Sequence, residues 1–293
     1  MTGAAVIWGS TFAAQSAGMR HIGPFTFSAV RSLLAALCLF PASFIFERFE
    51  QLPGSRVSRK KELISGLILG VILFFAANLQ QVGLQFTTAG KAGFITSLYI
   101  VIVPLFGLLV NRHTHPLLWL CVFVALAGFY TLSVNEDFTI GIGDLMMLGC
   151  AICFSLHILY VDRCALSMNA VRLSCIQFAV MGFLSLPFML LLEQPHIHSV
   201  FSAWFTLVYA GLLSGGVAYT MQILAQRRLA PSTASIIGSQ ESVFAALTGW
   251  LFLHERMNGR ELLGCALVLI SVICSQIPFD SIRNAKQSQS GDL

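Results

Sequence analysis

The chain has 293 residues, of which 56% are hydrophobic and only 10% are charged, and its mean hydropathy is +0.80. A soluble domain carries about 25% charged residues, so this composition excludes an ordinary soluble protein and indicates a polytopic membrane protein. The net charge of +4 is small and dispersed along the chain, which excludes a nucleic-acid-binding protein. The predicted surroundings are therefore the lipid bilayer.

Ten apolar segments are long enough to be membrane spans, because ~20 helical residues cross the ~30 Å hydrocarbon core. Away from the segment ends, only Arg31 and Glu241 are charged within them. The chain is therefore predicted to be an all-α integral membrane protein with ten transmembrane helices. These cover residues 3–19, 24–46, 63–86, 90–110, 116–134, 143–161, 170–192, 201–225, 231–253 and 260–278.

The placement of Lys and Arg predicts the orientation of these helices. If both termini are cytoplasmic, twelve of the 17 basic residues fall on the cytoplasmic side and four on the other, with Arg31 inside the membrane. Cytoplasmic loops carry the excess of Lys and Arg in membrane proteins. Both termini are therefore predicted to be cytoplasmic, and a bacterial inner membrane is the expected location.

The two halves of the chain repeat each other at nearly constant offsets. An offset of 142 aligns residues 95–99 with 237–241, and an offset of 146 pairs Trp8 with Phe154. The other pairs at these two offsets are Ala76 with Ala218, Gln80 with Gln222, Arg31 with Gln177 and Thr11 with His157.

Each half holds five predicted helices, so the second half must enter the membrane in the opposite orientation. Such inverted repeats are a common transporter architecture, with the binding site near the midplane between the halves. The predicted organisation is two inverted five-helix repeats with an acidic external loop and a polar cytoplasmic tail. Their bounds are 1–134 for the first repeat, 135–142 for the loop, 143–278 for the second repeat and 279–293 for the tail.

Glu241 lies near the middle of the ninth segment, on a small and polar face with Ser235, Gly238 and Ser242. A charge at the bilayer midplane costs at least ~2.5–3.5 kcal/mol unless it is paired or faces water. Glu241 is therefore predicted to bind a cationic substrate group or to carry a coupling proton. The alternative is a structural carboxylate that is hydrogen-bonded to neighbouring helices. Its repeat partner Tyr99 is expected to face the same cavity.

Arg31 lies seven residues, roughly 10 Å, below the predicted outer end of the second helix. It is a candidate to hold a substrate carboxylate or to pair with Glu241. The alternative is that its side chain extends outward to the membrane surface and anchors the helix.

Polar and aromatic side chains at helical spacing form stripes on four other predicted helices. Lining of a water-filled path is the functional interpretation, and hydrogen bonding between helices is the alternative. For His157 the alternatives are a proton relay and a structural role. Trp8 and Tyr99 are further candidates to stack on a planar substrate. The stripes are Asn78, Gln81 and Gln85; Tyr219, Gln222 and Gln226; Trp8, Thr11 and Gln15; and Cys153, His157 and Tyr160.

Four motifs resemble those of the drug/metabolite transporter superfamily, in its ten-helix EamA-type branch, and the similarity covers nearly the whole chain. Residues 8–12 read WGSTF, Arg31 lies in AVRSLLAALCLFP, residues 90–104 read GKAGFITSLYIVIVP, and Glu241 precedes an apolar stretch that ends in LHER. These are similar to motifs of the family's first, second, fourth and ninth helices. Ser242 stands where the family often has proline, and residues 111–113 replace an expected glutamate.

The resemblance implies ten helices in two inverted repeats, a central cavity that works by alternating access, and transport of small metabolites, often as efflux. We therefore expect a secondary transporter, and specifically an exporter, of small metabolites such as amino acids. No GxxxxGK[ST] phosphate-binding loop occurs, so the driving force is expected to be an ion gradient, such as protons, or the substrate gradient. The expected assembly is a monomer or homodimer.

Two other classes of function stay open from the sequence. One is an intramembrane lipid- or acyl-modifying enzyme that uses His157 and Asp162, and the other is a membrane sensor that does not transport. No cofactor and no metal are expected, because the CxxC pair of Cys150 and Cys153 lies within an apolar helix without a second ligand pair.

Overall fold

The computed structural model describes residues 1–48, 57–87, 89–109, 116–133, 141–252 and 259–275. Those residues form helices and no β-strand. A helix satisfies its backbone hydrogen bonds within one segment, as a segment that crosses lipid by itself requires. The prediction of an all-α membrane protein is confirmed for the part described. Within these ranges, six helical stretches are long and apolar enough to span a membrane: Pro24–Glu47, Arg59–Gly83, Ala92–Leu109, Ile142–Ala165, Ala170–Glu193 and Trp204–Gln226. Residues 135–140 of the predicted loop and the predicted tail 279–293 lie outside the described residues.

The first half of the chain contains helices α1 to α6. Pro24 stands in the first turn of α2. Backbone N–H groups at this position make no hydrogen bond within the helix, so the lack of an N–H in proline costs nothing there. Ser58 caps α3 by accepting a hydrogen bond from the Lys61 N–H. The helices are α1 (Thr2–Gly18), α2 (Pro24–Glu47), α3 (Arg59–Gly83), α4 (Ala89–Thr96), α5 (Tyr99–Leu109) and α6 (Pro116–Ser133).

The second half contains helices α7 to α14 and two π-helical stretches, Met189–Glu193 and Tyr209–Ala218. Asn169 caps α8 through the Arg172 N–H, and Pro231 opens α12 in its first turn. The helices are α7 (Ile142–Ala165), α8 (Ala170–Phe188), α9 (Ile197–Ser202), α10 (Trp204–Val208), α11 (Tyr219–Gln226), α12 (Pro231–Gly238), α13 (Gln240–Phe252) and α14 (Gly259–Ser275).

Two predicted spans that read as continuous, 90–110 and 231–253, are each divided into two helices. The first divides between α4 and α5, where the N–H groups of Leu98, Ile100 and Val101 bond three residues back instead of four. The second divides at Ser239, and Ser242 N–H bonds back to its carbonyl at 3.2 Å. Such tightened turns inside a helix often mark functional sites. Each of these two predicted spans therefore contains a tightened turn that the sequence analysis did not predict.

The π-helical stretches also modify predicted spans, and local sequence accounts for both. Pro187 lies inside α8 and cannot donate to the helical ladder, and the π-helical turn Met189–Glu193 follows directly. The stretch Tyr209–Ala218 is glycine-rich and packs closely on α2. A Cβ added at Gly211 would lie 2.8 Å from the Arg31 carbonyl oxygen, so the close approach requires glycine.

Helices α2 and α8 pack along their length and are tied to each other at both ends. Glu193, which ends the α8 span, accepts hydrogen bonds from the N–H groups of Phe25 and Thr26 at 2.8 and 2.7 Å, and from the Thr26 hydroxyl. At the opposite end, Arg172 in the first turn of α8 contacts Glu47, the last residue of α2. Arg172 also donates to Glu62 of α3 at 2.9 Å.

Other close contacts bring α3 against α7 and α8, α1 against α13 and α6 against α14. Glycines allow the helices to approach closely at these contacts, as Gly9 and Gly83 illustrate. A Cβ added at Gly9 of α1 would lie 2.5 Å from the Glu241 carbonyl oxygen. On α3, a Cβ at Gly83 would lie 3.2 Å from the carbonyl oxygen of Gly143. The first of these contacts fixes α1 beside the part of α13 that carries Glu241.

Candidate functional site

A central cavity of about 50 Å³ lies between the helices of the two halves. Polar groups contribute much of its lining, which is unusual at the centre of a membrane protein. The lining residues are Met1, Trp8, Thr11, Phe12, Gln15, Arg31, Gln80, Tyr99, Phe154, Ile158, Ser214, Tyr219, Gln222, Ala234, Gly238 and Glu241.

Glu241 and Tyr99 form a hydrogen-bonded pair at one wall of this cavity. The Tyr99 hydroxyl donates to Glu241 Oε1 at 3.0 Å, and both side chains are buried. Tyr99 is the first residue of α5, and Glu241 lies in the first turn of α13. Unpaired N–H groups at a helix N-terminus stabilise negative charge, so the tightened turn places Glu241 where an ionised carboxylate is best tolerated. The predicted shared position of the two repeat partners is thus observed.

Arg31 lines the same cavity and is 8% exposed, with its guanidinium 5.7 Å from the centre of the Phe27 ring. Among the described residues, no carboxylate lies within ion-pair distance of it, and its Nε has no hydrogen-bond partner. The structure therefore does not contain the predicted ion pair with Glu241. The burial also does not fit the alternative of an anchor at the membrane surface.

Three glutamine side chains add uncharged polar groups to the cavity: Gln15, Gln80 and Gln222. The Oε1 atoms of Gln15 and Gln222 are buried and have no hydrogen-bond partner in the described part of the chain. Buried acceptors of this kind are costly unless a ligand or water satisfies them. Gln80 was not a predicted site residue, although its pairing with Gln222 at the repeat offset was the signal that could have identified it.

The aromatic side chains of the cavity are packed against one another. The Trp8 and Tyr219 rings meet edge to face with centroids 5.1 Å apart, and Tyr219 makes the same type of contact with Phe178 at 5.1 Å. The Trp8 indole N–H is buried and has no acceptor among the described residues. Trp8 therefore offers both an aromatic ring and a hydrogen-bond donor near the cavity, whereas Tyr219 is held by its neighbours.

His157 is fully buried and lies behind the cavity rather than on its surface. Its Nε2 lies 2.9 Å from Gln177 Oε1, and its ring lies 5.8 Å from that of Tyr219. Its Nδ1 has no partner among the described residues. Thr11, its repeat partner, lines the cavity and donates to the Ile7 carbonyl at 2.6 Å. The observed partner of His157 is thus Gln177, not the Asp162 of the enzyme alternative.

Several predicted lining residues lie outside the cavity, because helical spacing alone does not fix how a helix is rotated. Asn78 bonds the Phe74 carbonyl at 2.8 Å and Ser185 of α8 at 3.2 Å, which is the interhelical alternative. Gln81 is fully buried, and neither of its amide atoms has a hydrogen-bond partner among the described residues. Gln85 is exposed. For these three residues of α3, the expectation of cavity lining is corrected.

Three other predicted residues also stand apart from the cavity. Tyr160 lies in a separate outer groove, and Gln226 donates to the Ile158 carbonyl at 2.9 Å. Ser242 donates to the Ser239 carbonyl at 2.6 Å and lies 3.2 Å from the Ser97 hydroxyl. Ser242 thereby ties the two tightened turns together. No group of three or more His, Cys, Asp or Glu side chains within the described ranges could hold a metal ion.

Comparisons with known proteins agree with this architecture. A transporter from Archaeoglobus fulgidus, named only as uncharacterized, is 31% identical over 92% of this chain and 82% of its own. The uncharacterized transporter YoaV of Bacillus subtilis is 23% identical over 94% of both chains. The uncharacterized inner membrane transporter YedA of Escherichia coli K12 is 22% identical over 92% of this chain and 86% of its own.

A solved crystal structure has the same fold, with a TM-score of 0.76 at 18% identity over 94% of this chain and 95% of that one. The EamA-like transporter family matches twice, over residues 1–134 and 141–276. These two matches cover nearly all of the sequence, and they agree with the resemblance seen in its motifs. The chain is a membrane protein that belongs to the EamA-like transporter family.

Proposed function

We propose that the protein is a secondary transporter that exports a small zwitterionic metabolite, such as an amino acid, by alternating access. The observation that carries this proposal is the presence of Glu241 and Arg31 in one buried cavity without an ion pair between them. An unpaired buried charge is expensive, and retaining two of opposite sign favours a ligand that satisfies both. A zwitterion does so with its ammonium group at Glu241 and its carboxylate at Arg31.

The other cavity groups suit the side chain of such a ligand. Trp8 provides an apolar ring with one free donor, and Gln15 and Gln222 provide unsatisfied acceptors. In the proposed site the two charges therefore fix the orientation of the ligand, and the neutral side chains contact the rest of it. His157 supports this set from behind through Tyr219, and Tyr99 orients the Glu241 carboxylate.

Alternating access is proposed because the arrangement of helices fits two inverted repeats. Helices that correspond at the repeat offsets pack on each other, namely α2 with α8 and α6 with α14. The tightened turns before Tyr99 and Glu241 also correspond, and the hydrogen bond between these residues joins positions 142 apart. The proposed topology has ten spans, both termini in the cytoplasm, repeats at 1–134 and 143–278, the external loop 135–142 and the cytoplasmic tail 279–293.

Transport is proposed to be driven by a proton gradient that acts through Glu241 or by the substrate gradient itself. Glu241 is the acidic side chain that lines the cavity, so an exchangeable proton and a substrate ammonium group would compete for it. Because of this competition, Glu241 releases its proton when substrate binds and releases substrate when a proton binds. The expected membrane is the bacterial inner membrane, the location in the name of the Escherichia coli relative.

The test combines ligand stabilisation with flux measured in liposomes. The detergent-purified protein is screened against amino acids, matched amines that lack the carboxylate, and matched acids that lack the ammonium group. A ligand at ~100 times its dissociation constant stabilises the folded state by ~2.7 kcal/mol. We expect stabilisation by the amino acid alone, and its loss in both Glu241→Gln and Arg31→Gln.

A matched pair of variants distinguishes an effect on the cavity from a general effect of replacing a glutamine in the membrane region. Gln222→Ala changes a cavity acceptor, whereas Gln85→Ala changes an exposed residue of the same type. Flux and stabilisation should fall in the first and stay unchanged in the second. Normal flux in Glu241→Gln, or equal stabilisation by the amine and the amino acid, would contradict the proposed site.

A further inference from the structure

A second concavity lies on the outside of the helix bundle, between α3, α5 and α7, and shares no lining residue with the central cavity. Its volume is about 410 Å³. Leu109 and Leu156 on its walls are 81% and 44% exposed, so the groove opens towards the surroundings of the bundle. Its lining consists of Ile72, Phe106, Leu109, Leu156, Leu159, Tyr160 and Arg163.

The groove is apolar along most of its length and cationic at one end. Arg163 stands in the last turn of α7 and is exposed. Within the described part of the chain it has no ion-pair partner. Seven residues separate it from Leu156, so the apolar wall extends ~10 Å along the helix from the charge. Tyr160 lies between them, which gives a gradation from apolar to polar towards the Arg163 end.

The Arg163 end of the groove lies at the basic surface of the protein. Gly83 at the end of α3 packs on Gly143 at the start of α7, so the two helices run antiparallel and Arg163 lies level with the start of α3. That start carries the consecutive cations Arg59, Lys60 and Lys61, and all three are exposed. Clusters of exposed Lys and Arg beside membrane spans attract anionic lipids.

We propose that this groove is a binding site for an anionic phospholipid of the leaflet at this end of the bundle. One acyl chain lies along Ile72, Phe106 and Leu156, and the phosphate accepts hydrogen bonds from the Arg163 guanidinium. Guanidinium groups bind phosphate through parallel, charge-assisted hydrogen bonds. Anionic headgroups are preferred because they carry no cation that offsets the attraction of the phosphate to Arg163 and the neighbouring basic residues. A second copy of the chain would instead bury the Arg163 charge against apolar surface, so the charge favours a lipid.

Lipid in this groove would also contact the back of the cavity wall. Helix α5 presents Phe106 to the groove and Tyr99 to the central cavity, and α7 presents Leu156 to the groove and Phe154 to the cavity. Bound lipid therefore packs against α5, which carries Tyr99, the hydrogen-bond partner of Glu241, and against the neighbouring α7. The lipid site is independent of which substrate the central cavity takes.

The test is lipid binding by the full-length protein in detergent, measured by native mass spectrometry. Dioleoyl phosphatidylglycerol and dioleoyl phosphatidylcholine are compared, because they share acyl chains and differ in headgroup charge. Attraction of ~1 kcal/mol per basic residue corresponds to about a fivefold preference for phosphatidylglycerol, at ~1.4 kcal/mol per factor of ten. Arg163→Gln should lower the preference about fivefold. The control Arg228→Gln, which changes an exposed arginine outside the groove, should retain it.

A second pair of variants tests where the acyl chain lies. Leu156→Trp fills the groove and should reduce binding of both lipids, whereas Leu145→Trp changes an exposed leucine of the same helix outside the groove and should not. An unchanged headgroup preference in Arg163→Gln would overturn the proposal. Equal loss of binding in Leu145→Trp and Leu156→Trp would also overturn it.

Discussion

The contact of Arg172 with Glu62 predicts that Glu62→Gln lowers the free energy of unfolding when Arg172 is present and raises it when Arg172 has been replaced. Glu62 accepts from Arg172 at 2.9 Å and from the Asn169 N–H at 2.7 Å, and its side chain is 5% exposed. Replacing Arg172 by Met removes the cation and leaves a buried carboxylate with one neutral donor. Breaking a buried pair in this way costs ~3–5 kcal/mol of unfolding free energy. We expect the lower value, because the Asn169 N–H still stabilises the charge.

Adding Glu62→Gln to Arg172→Met should then be stabilising. The amide removes the uncompensated charge and keeps an oxygen for the Asn169 N–H, so ~1–2 kcal/mol of the loss should be recovered. In the otherwise unchanged protein the same Glu62→Gln substitution should be destabilising, because it removes one half of an intact pair.

Reversible unfolding in mixed micelles with increasing SDS measures all four proteins of this cycle. Arg228→Met, an exposed arginine, serves as the control and should change the free energy of unfolding by no more than ~0.5 kcal/mol. Equal destabilisation by Glu62→Gln with and without Arg172 would mean that the two side chains do not interact, and would refute the reasoning.

Three further predictions concern the cavity and its surroundings. Tyr99→Phe removes a hydrogen bond to a charged group worth ~1.5–3 kcal/mol, so liposome flux should fall about tenfold or more, while the exposed Tyr130→Phe leaves it unchanged. Gly9→Ala puts a Cβ 2.5 Å from the Glu241 carbonyl and should weaken ligand-induced stabilisation; an unaltered shift would contradict the close packing. Glu193→Ala uncaps α2 and should speed hydrogen exchange in its first turn, with no change in the last turn of α3 as the internal control.

The central pair of the site could be predicted from the sequence because the chain repeats. In the proposed inverted repeat, residues related by the repeat offset occupy equivalent positions, and such positions meet near the two-fold axis that relates the halves. Tyr99 and Glu241, 142 residues apart, accordingly form a hydrogen bond, and Gln80 and Gln222 both line the cavity. A carboxylate in the middle of an apolar segment was the second reliable signal, because few positions in a membrane protein tolerate it.

The rotation of each helix could not be predicted from spacing. Gly66 and Gly70 let α3 approach Ile176 and Val180 of α8 so closely that an added Cβ would lie 2.5 Å from either side chain. This contact fixes the face of α3, so Asn78 bonds α8 while the neighbouring Gln80 reaches the cavity. Which face of a helix points to the cavity depends on its packing against other helices, and a stripe of polar residues in the sequence gives no information about that packing.

The interruptions inside the spans were also invisible to hydropathy. No proline marks the turns at Ser97 and Ser239, so the sequence of each segment is consistent with one continuous helix. Tyr99 and Glu241 form a hydrogen bond directly after the two turns, and the Ser97 hydroxyl donates to that of Ser242 between the turns. These contacts come from the assembled fold and not from the local sequence.

The ties between α2 and α8 have a consequence for how the molecule can move. Glu47 and Glu193 stand 146 residues apart and hold opposite ends of the same helix pair, one through Arg172 and the other through the N–H groups of Phe25 and Thr26. Sliding or splaying these two helices would break the contacts at both ends together. In the proposed alternating-access cycle the pair is therefore a shared pivot for the two halves, and the remaining helices open and close the cavity by rocking about it.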